Sequence, residues 1–290
     1  MARFDTGMFK WIPLFVFSWL LYLSPLPSYA SGLQYRIDSW AVYYANKAST
    51  QDFNDYELVV LDSTFHPPIP PLLEQDKTLL GYLSLGEVGQ HRDYFAKVKE
   101  EDILLQENAY WKGSYFVDVR SPLWTKRVLE TLIPDILQQG FQGIFIDTLD
   151  NPPYLEQQNP KQFKGMAQAA INLIHAIRLH YPDMLIMVNR GYAILPKIQS
   201  TIDMVLGEAV YTKFDFQDKR YVHVPNTIYN AQVNILKKAK KGAPHLQVFT
   251  LDYWDPKDKA GLASIAKEQK KNGFTPYIAT HLLDQLVPQP

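Results

Sequence analysis

Carboxylates at the ends of short apolar runs are the residues of this chain best placed to do chemistry. Gly143-Ile144-Phe145-Ile146 stops at Asp147, with Asp150 three residues on. The pattern recurs: Leu58 to Leu61 exits into Asp62, Leu79 to Leu85 into Glu87, and Tyr115 to Val117 into Asp118. Met204 to Gly207 exits into Glu208, and Val248 to Leu251 into Asp252. Two carboxyl groups across a cleft are the minimum equipment for breaking a glycosidic bond. One holds a proton for the leaving oxygen, and the other attacks the anomeric carbon or activates water. Desolvation and mutual repulsion push the pKa values of such a pair apart, so that acid and base coexist near neutral pH. For any single position, though, an Asp at a strand exit is more often an N-cap or turn residue. Asp118, three residues before the helix-opening pair Ser121-Pro122, fits that structural role best.

Other chemistries find little support. His66, His91, His175, His180, His223, His245 and His281 show no His-x-His or His-Glu-x-x-His spacing, so a metal-dependent hydrolase is not indicated. No Gly-x-Ser-x-Gly nucleophile elbow and no phosphate-cradling glycine loop occurs. The chain has no cysteine, which excludes disulfides and thiolate metal sites. A formal net charge of −1 and a pI near 6.7 give no basic field for nucleic acid. Lys237, Lys238, Lys240 and Lys241, just before Gly242, read as a solvated helix end.

The elements that must position the acids alternate between strand and helix. Strands are expected at 39–44, 57–62, 79–85, 143–147, 185–189, 203–208, 247–252 and 275–280, with a short extra strand at 115–118. Residues 90–114 read as a long polar excursion. Ser121-Pro122 opens a helix carrying Leu123, Val128, Leu132 and Ile136 on one face, and Gly140 ends it. Asn151-Pro152-Pro153 stops the chain after the Asp147 strand, and Phe163, Met166, Ala170, Ile174 and Ile177 form a second helical stripe. Such alternation implies an α/β protein, a (β/α)8 TIM-type barrel in one domain. In that architecture the carboxyl ends of all strands converge on one face.

Residues 1–30 are expected to serve export and not packing. Arg3 and Lys10 make a basic start, Trp11 to Leu23 an uncharged apolar core, and Ser28 and Ala30 occupy small-residue positions before a cut after Ala30. The apolar core is short of the roughly 20 residues of a membrane span, which disfavours an uncleaved anchor. The expectation is a signal peptide at 1–30 and a barrel domain at 31–290, periplasmic or extracellular, with no stable membrane insertion of the mature chain.

The ordered series Val42-Tyr43-Tyr44, Val60-Leu61-Asp62, Gly81-Tyr82-Leu83-Ser84-Leu85-Gly86-Glu87, Val117-Asp118-Val119-Arg120 with Trp124, Gly140 to Asp150, Val188-Asn189-Arg190-Gly191 and Gly207-Glu208 resembles glycoside hydrolase family 114. That family comprises endo-α-1,4-polygalactosaminidases and related barrel proteins, and the resemblance runs from about residue 38 to residue 282. It implies a barrel without metal or organic cofactor, a polysaccharide substrate rich in amino sugar, and retention of anomeric configuration. Its catalytic Asp and Glu map onto Asp147 and Glu208. Between Asp147 and Asp150, the strand-end residue is the better-held nucleophile. Asp147 is therefore assigned as nucleophile and Glu208 as acid/base, with Asp150 in support.

Further substrate-binding candidates are Asp62 and Glu87, which could meet sugar hydroxyls or an ammonium group. Each could instead form a rim salt bridge with Arg92 or Arg120. Asn189 ends a strand near the scissile bond. Tyr43, Tyr44, Tyr211 and Trp254 lie near strand exits, where rings could stack on sugars, although alternation must turn some of them into the core.

Overall fold

A computed structural model describes residues 36–290; the export leader expected at 1–30 lies outside them. Chain order gives β1 (Trp40–Tyr43), β2 (Leu58–Leu61) and β3 (Thr78–Ser84). An excursion of three short strands comes next: β4 (Glu87–Gly89), β5 (Leu104–Glu107) and β6 (Ser114–Val117). After it stand β7 (Gly143–Asp147), β8 (Leu185–Asn189) and β9 (Met204–Glu208), a hairpin of β10 (Thr212–Asp215) and β11 (Arg220–His223), then β12 (Gln247–Tyr253) and β13 (Thr275–Ala279). The order β1-β2-β3-β7-β8-β9-β12-β13 makes one parallel sheet of eight strands. Its ends meet through the Trp40 indole, which donates to the Thr275 carbonyl at 3.1 Å, and through the Thr275 hydroxyl, which donates to the Ile37 carbonyl.

Helices cover the outside: α1 (Pro70–Leu73), α2 (Phe95–Glu100) within the excursion, α3 (Pro122–Arg127) and α4 (Ile133–Gln138), α5 (Asn151–Gln158), α6 (Met166–His180), α7 (Leu195–Ile198), α8 (Asn226–Gly242) and α9 (Lys259–Lys271). This is a (β/α)8 TIM-type barrel. Because helices and the packed interior cover both faces of the sheet, its strands need no polar alternation. Leu58 to Leu61 and Ile144 to Ile146 are all buried.

Between α3 and α4 the helix passes through a π turn at Val128–Leu132, where the Ile133 N–H donates to Val128. Pro134 supplies no N–H to the ladder, and the hydrogen bonds shift by one residue just before it. The buried face of this helix is Trp124, Val128, Leu132 and Ile136, four apart; Leu123, expected on that face, is exposed. Trp124 donates its indole N–H to the Leu85 carbonyl, fixing the helix under the exit of β3. Asn151-Pro152-Pro153 ends the strand as expected but also opens α5, since proline is tolerated in a first helical turn. Two regions hold more structure than the sequence suggests. The 90–114 excursion carries α2 and β5, and 212–223 is an antiparallel hairpin. At the far end of β9, buried Asp203 pairs with Arg178 at 2.6 Å and ties α6 to the barrel floor.

Candidate active site

β7, β8 and β9 are neighbours in the sheet and end on Asp147, Asn189 and Glu208. The Asn189 amide donates one N–H to Asp147 Oδ1 at 3.0 Å and one to Glu208 Oε2 at 2.7 Å. A single nitrogen thus holds both carboxyl groups. Their nearest oxygens lie no further apart than these two bonds laid end to end. The other oxygen of each acid is also held: Tyr82 donates its hydroxyl to Asp147 Oδ2 at 2.9 Å, and Tyr253 donates to Glu208 Oε1 at 2.5 Å. The orientation of Asn189 is set by this arrangement, since its carbonyl could not face two carboxylates, and that carbonyl has no partner among the described residues. Burial raises the Glu208 carboxyl above the usual glutamate value, and the negative charge of Asp147 raises it further. Burial likewise lifts Tyr82 and Tyr253 well above the ordinary phenol, so both remain protonated donors.

The chain turns in the same way after each of these strands. Thr148, Arg190 and Ala209, the residues directly after Asp147, Asn189 and Glu208, all have left-handed backbones, with φ of 64°, 52° and 52°. None is glycine, so each turn stores strain that the surroundings must hold. Thr148 shows how: its hydroxyl donates to the Asp147 carbonyl, accepts the Gly86 N–H at 2.7 Å and meets the Ser84 hydroxyl at 2.8 Å. A Cβ on Gly86 would lie 2.3 Å from the Thr148 carbonyl oxygen, so only glycine lets the exits of β3 and β7 approach this closely.

Around these acids opens a cavity of about 1060 Å³. Of the sequence candidates it is lined by Tyr44, Asp62, Glu87, Asp147, Asp150, Asn189 and Glu208. Three candidates lie elsewhere. Tyr43 is buried against Phe53, its hydroxyl accepting the Lys47 and Ala48 N–H groups. Tyr211 packs on His223 and Tyr229, and Trp254 on Tyr221 and His223 with its N–H on Asp258. Strand alternation turns Tyr43 outward and leaves Tyr44 at the cleft.

Three of the lining acids other than the pair are already engaged. Asp62 pairs with Arg92 at 2.7 Å; burial pushes its carboxyl up, but the guanidinium together with the Thr64 N–H and hydroxyl outweighs that and holds it below the usual range. Glu87 accepts from Asn108 and Asn151 on one oxygen and from Ser114 on the other, each at 2.6 Å, so it fastens the excursion to the barrel. Asp150 pairs with Arg190 at 3.1 Å, and burial raises its carboxyl. Asp118 bonds Arg120 at the rim, and Asp252 faces the helices, where it accepts from Gln269.

A family model described as glycoside-hydrolase family GH114 matches residues 26–290. The chain belongs to glycoside-hydrolase family GH114. An uncharacterized protein of Deinococcus radiodurans is 25% identical over 87% of this chain and 83% of its own length. One from Thermotoga maritima is 24% identical over 69% of this chain and 64% of its own. Among solved structures, the glycoside hydrolase domain of PelA from Pseudomonas aeruginosa is similar with a TM-score of 0.77. It is 22% identical, over 87% of this chain and 98% of that one. Aspergillus fumigatus Ega3, solved in complex with galactosamine, has a TM-score of 0.64 at 16% identity, covering 90% of this chain and 98% of that one.

In this GH114 barrel the sequence reading missed Tyr82 and Tyr253, which hold the two acids. A signal for both existed. Tyr82 stands two residues before Ser84, on the inward phase of β3, and Tyr253 directly succeeds Asp252 on β12, so that whichever of those two faces the helices, the other faces the cleft. Asn108 carried no such signal, because it lies in the excursion, where no regular phase assigns a direction, whereas Arg92, named in the sequence as a possible rim partner, is the partner of Asp62.

Proposed function

We propose that the protein is an exported endo-acting glycosidase that cleaves α-1,4-linked galactosamine-type bonds by double displacement. Asp147 is the nucleophile and Glu208 the acid/base. The observation that carries this reading is the Asn189 amide shared between the two carboxyl groups. It keeps them close, as in the roughly 5 to 5.5 Å of retaining pairs, and leaves little room for the catalytic water that spreads inverting pairs to about 6.5 to 9.5 Å. The assignment of roles rests on environment. Glu208 has its carboxyl raised by burial and by Asp147, which suits a group that must deliver a proton. Asp147 accepts two hydrogen bonds from neutral donors, Tyr82 and Asn189, which orient it for attack.

In the first step an Asp147 oxygen bonds the anomeric carbon while Glu208 gives its proton to the departing glycosidic oxygen. In the second, Glu208 takes a proton from water as that water's oxygen displaces Asp147, which regenerates both groups. The charge of the cavity supports an amino-sugar polymer. Asp62, Glu87, Asp147, Asp150 and Glu208 line it against three fixed cations, Arg92, Lys112 and Arg190. Arg92 and Arg190 are paired with Asp62 and Asp150. The excess negative charge suits a polymer carrying ammonium groups. Export rests on the leader read at residues 1–30.

The test is reducing-end release from a panel of amino-sugar polymers by wild type, Asp147→Asn and Glu208→Gln. Each substitution is expected to lower turnover by at least about a thousandfold. Equal turnover by all three would remove the pair from the mechanism. Binding without turnover by wild type would make the protein a carbohydrate-binding barrel, and turnover of only a different glycan would change the substrate.

A further inference from the structure

Large apolar side chains exposed at the surface are concentrated at the cleft mouth. Of the nine among the described residues, Phe65, Tyr110, Trp111, Tyr154 and Leu282 line the cavity that holds Asp147 and Glu208, and Phe216 touches one of them. Trp111 is 61% exposed and Phe216 65% exposed, and their rings meet edge to face at 6.2 Å between centroids. They come from different elements. Trp111 lies in the turn between β5 and β6, in the excursion after the third barrel strand; Phe216 lies in the turn between β10 and β11, after the sixth. In the ring of eight the third and sixth strands stand three places apart with only β7 and β8 between them, so this contact reaches over the ends of those two strands at the barrel mouth.

Both turns are held in place. Asn108 opens the first, donating to buried Glu87 and accepting the Tyr110 N–H. In the second, Asp215 accepts the N–H groups of Gln217 and Asp218, and the neighbouring Phe214 stacks on His281 at 3.7 Å. An isolated pair of solvent-exposed rings has no reason to be fixed from both sides. A span continuous with an acidic cavity, presenting apolar ring faces at its rim, has one.

We propose that Trp111 and Phe216, with Tyr110 beside them, form an aromatic span that binds a pyranose ring of the polymer at a subsite remote from the scissile bond. The apolar C–H face of the sugar lies on the rings and its hydroxyls stay in water. The occupant is the polysaccharide chain itself, because Trp111 and Tyr110 line the same cavity as the catalytic pair. The inference rests on the glycosidase reading and adds to it a dependence on chain length.

The experiment compares wild type, Trp111→Ala, Phe216→Ala and the double variant on the polymer and on the shortest oligosaccharide that wild type cleaves. Both side chains are exposed, so the variants keep their fold, which circular dichroism checks. The expected result is a loss of about tenfold in kcat/KM on the polymer, carried by KM, with the short substrate unchanged. Unchanged kcat/KM on both substrates overturns the subsite. An equal loss on both overturns its remoteness. A change confined to self-association, read by sedimentation, makes the patch a contact between copies and overturns it also. If wild type cleaves no polymer, the glycosidase reading falls and the subsite with it, an outcome distinct from the other three.

Discussion

Asn189, Tyr82 and Tyr253 make the two acids of this barrel unequal, and the inequality has measurable consequences. The hydrogen bond from Tyr253 stabilises ionised Glu208 and so offsets part of the rise caused by burial. Tyr253→Phe is expected to raise the Glu208 pKa further. Because the acid must be protonated, the alkaline limb of kcat/KM then moves to higher pH while kcat falls several-fold; a limb that moves down or stays would contradict this. Asp252 gives a residue-scale prediction for stability. Burial lifts its carboxyl to about 6, outweighing the hydrogen bonds from the Thr212 and Tyr211 backbones and from Gln269. A carboxyl raised on folding binds its proton more tightly in the native state, so stability is highest below the unfolded value near 4 and declines as pH rises through about 6. Asp252→Asn, with the Gln269 amide turned over to accept from it, is expected to remove that slope in thermal unfolding between pH 4 and 7. A slope that persists would place its origin elsewhere.

At the scale of the element, the placement of the proposed catalytic pair depends on the turn that closes each strand. The left-handed backbones of Thr148, Arg190 and Ala209 end β7, β8 and β9 abruptly, leaving the carboxyl and amide groups at the last regular position. For Ala209 that conformation is strained, and its N–H donates to Leu251 while its carbonyl accepts from Gln232, so the turn is held from both sides. Ala209→Gly is expected to raise stability by about 0.5 to 1 kcal/mol, read from the urea midpoint, with kcat lowered several-fold as Glu208 gains freedom. A drop in stability would show that the turn is not strained.

The barrel strands were legible because burial on both faces writes them as apolar runs, and Asp147 and Glu208 were legible as their terminators. The hairpin at 212–223 was not. Lys213, Asp215 and Arg220 make it read as loop, and the contacts that fold it, Phe214 on His281 and Phe214 on Tyr221, join residues a sequence cannot place side by side. The partners of Glu87 were hidden for a related reason. It ends an apolar run, yet it belongs to β4 and turns toward Asn108 and Ser114 of the excursion. Glu87→Ala would leave those donors buried without an acceptor. It is expected to cost about 3 kcal/mol or more in stability and to loosen the excursion, seen as faster proteolysis within 90–114. Unchanged protease sensitivity would contradict the tie.

Across the whole molecule, a barrel with a closely packed wall presents one acidic mouth, two excursions that reach over it, and a pair of acids bridged by a single amide. The parallel sheet sets the ring, its carboxyl ends set the chemistry, and the excursions after the third and sixth strands shape what can enter. The central claim is that Asp147 and Glu208 act in sequence, one as nucleophile and one as acid/base, on an α-linked amino-sugar polymer. The most direct test is the anomeric proton of the first product, tracked by NMR before mutarotation during cleavage of an α-1,4-galactosamine polymer. The α anomer is expected to appear first, with the β anomer growing in later. First appearance of the β anomer would contradict the account.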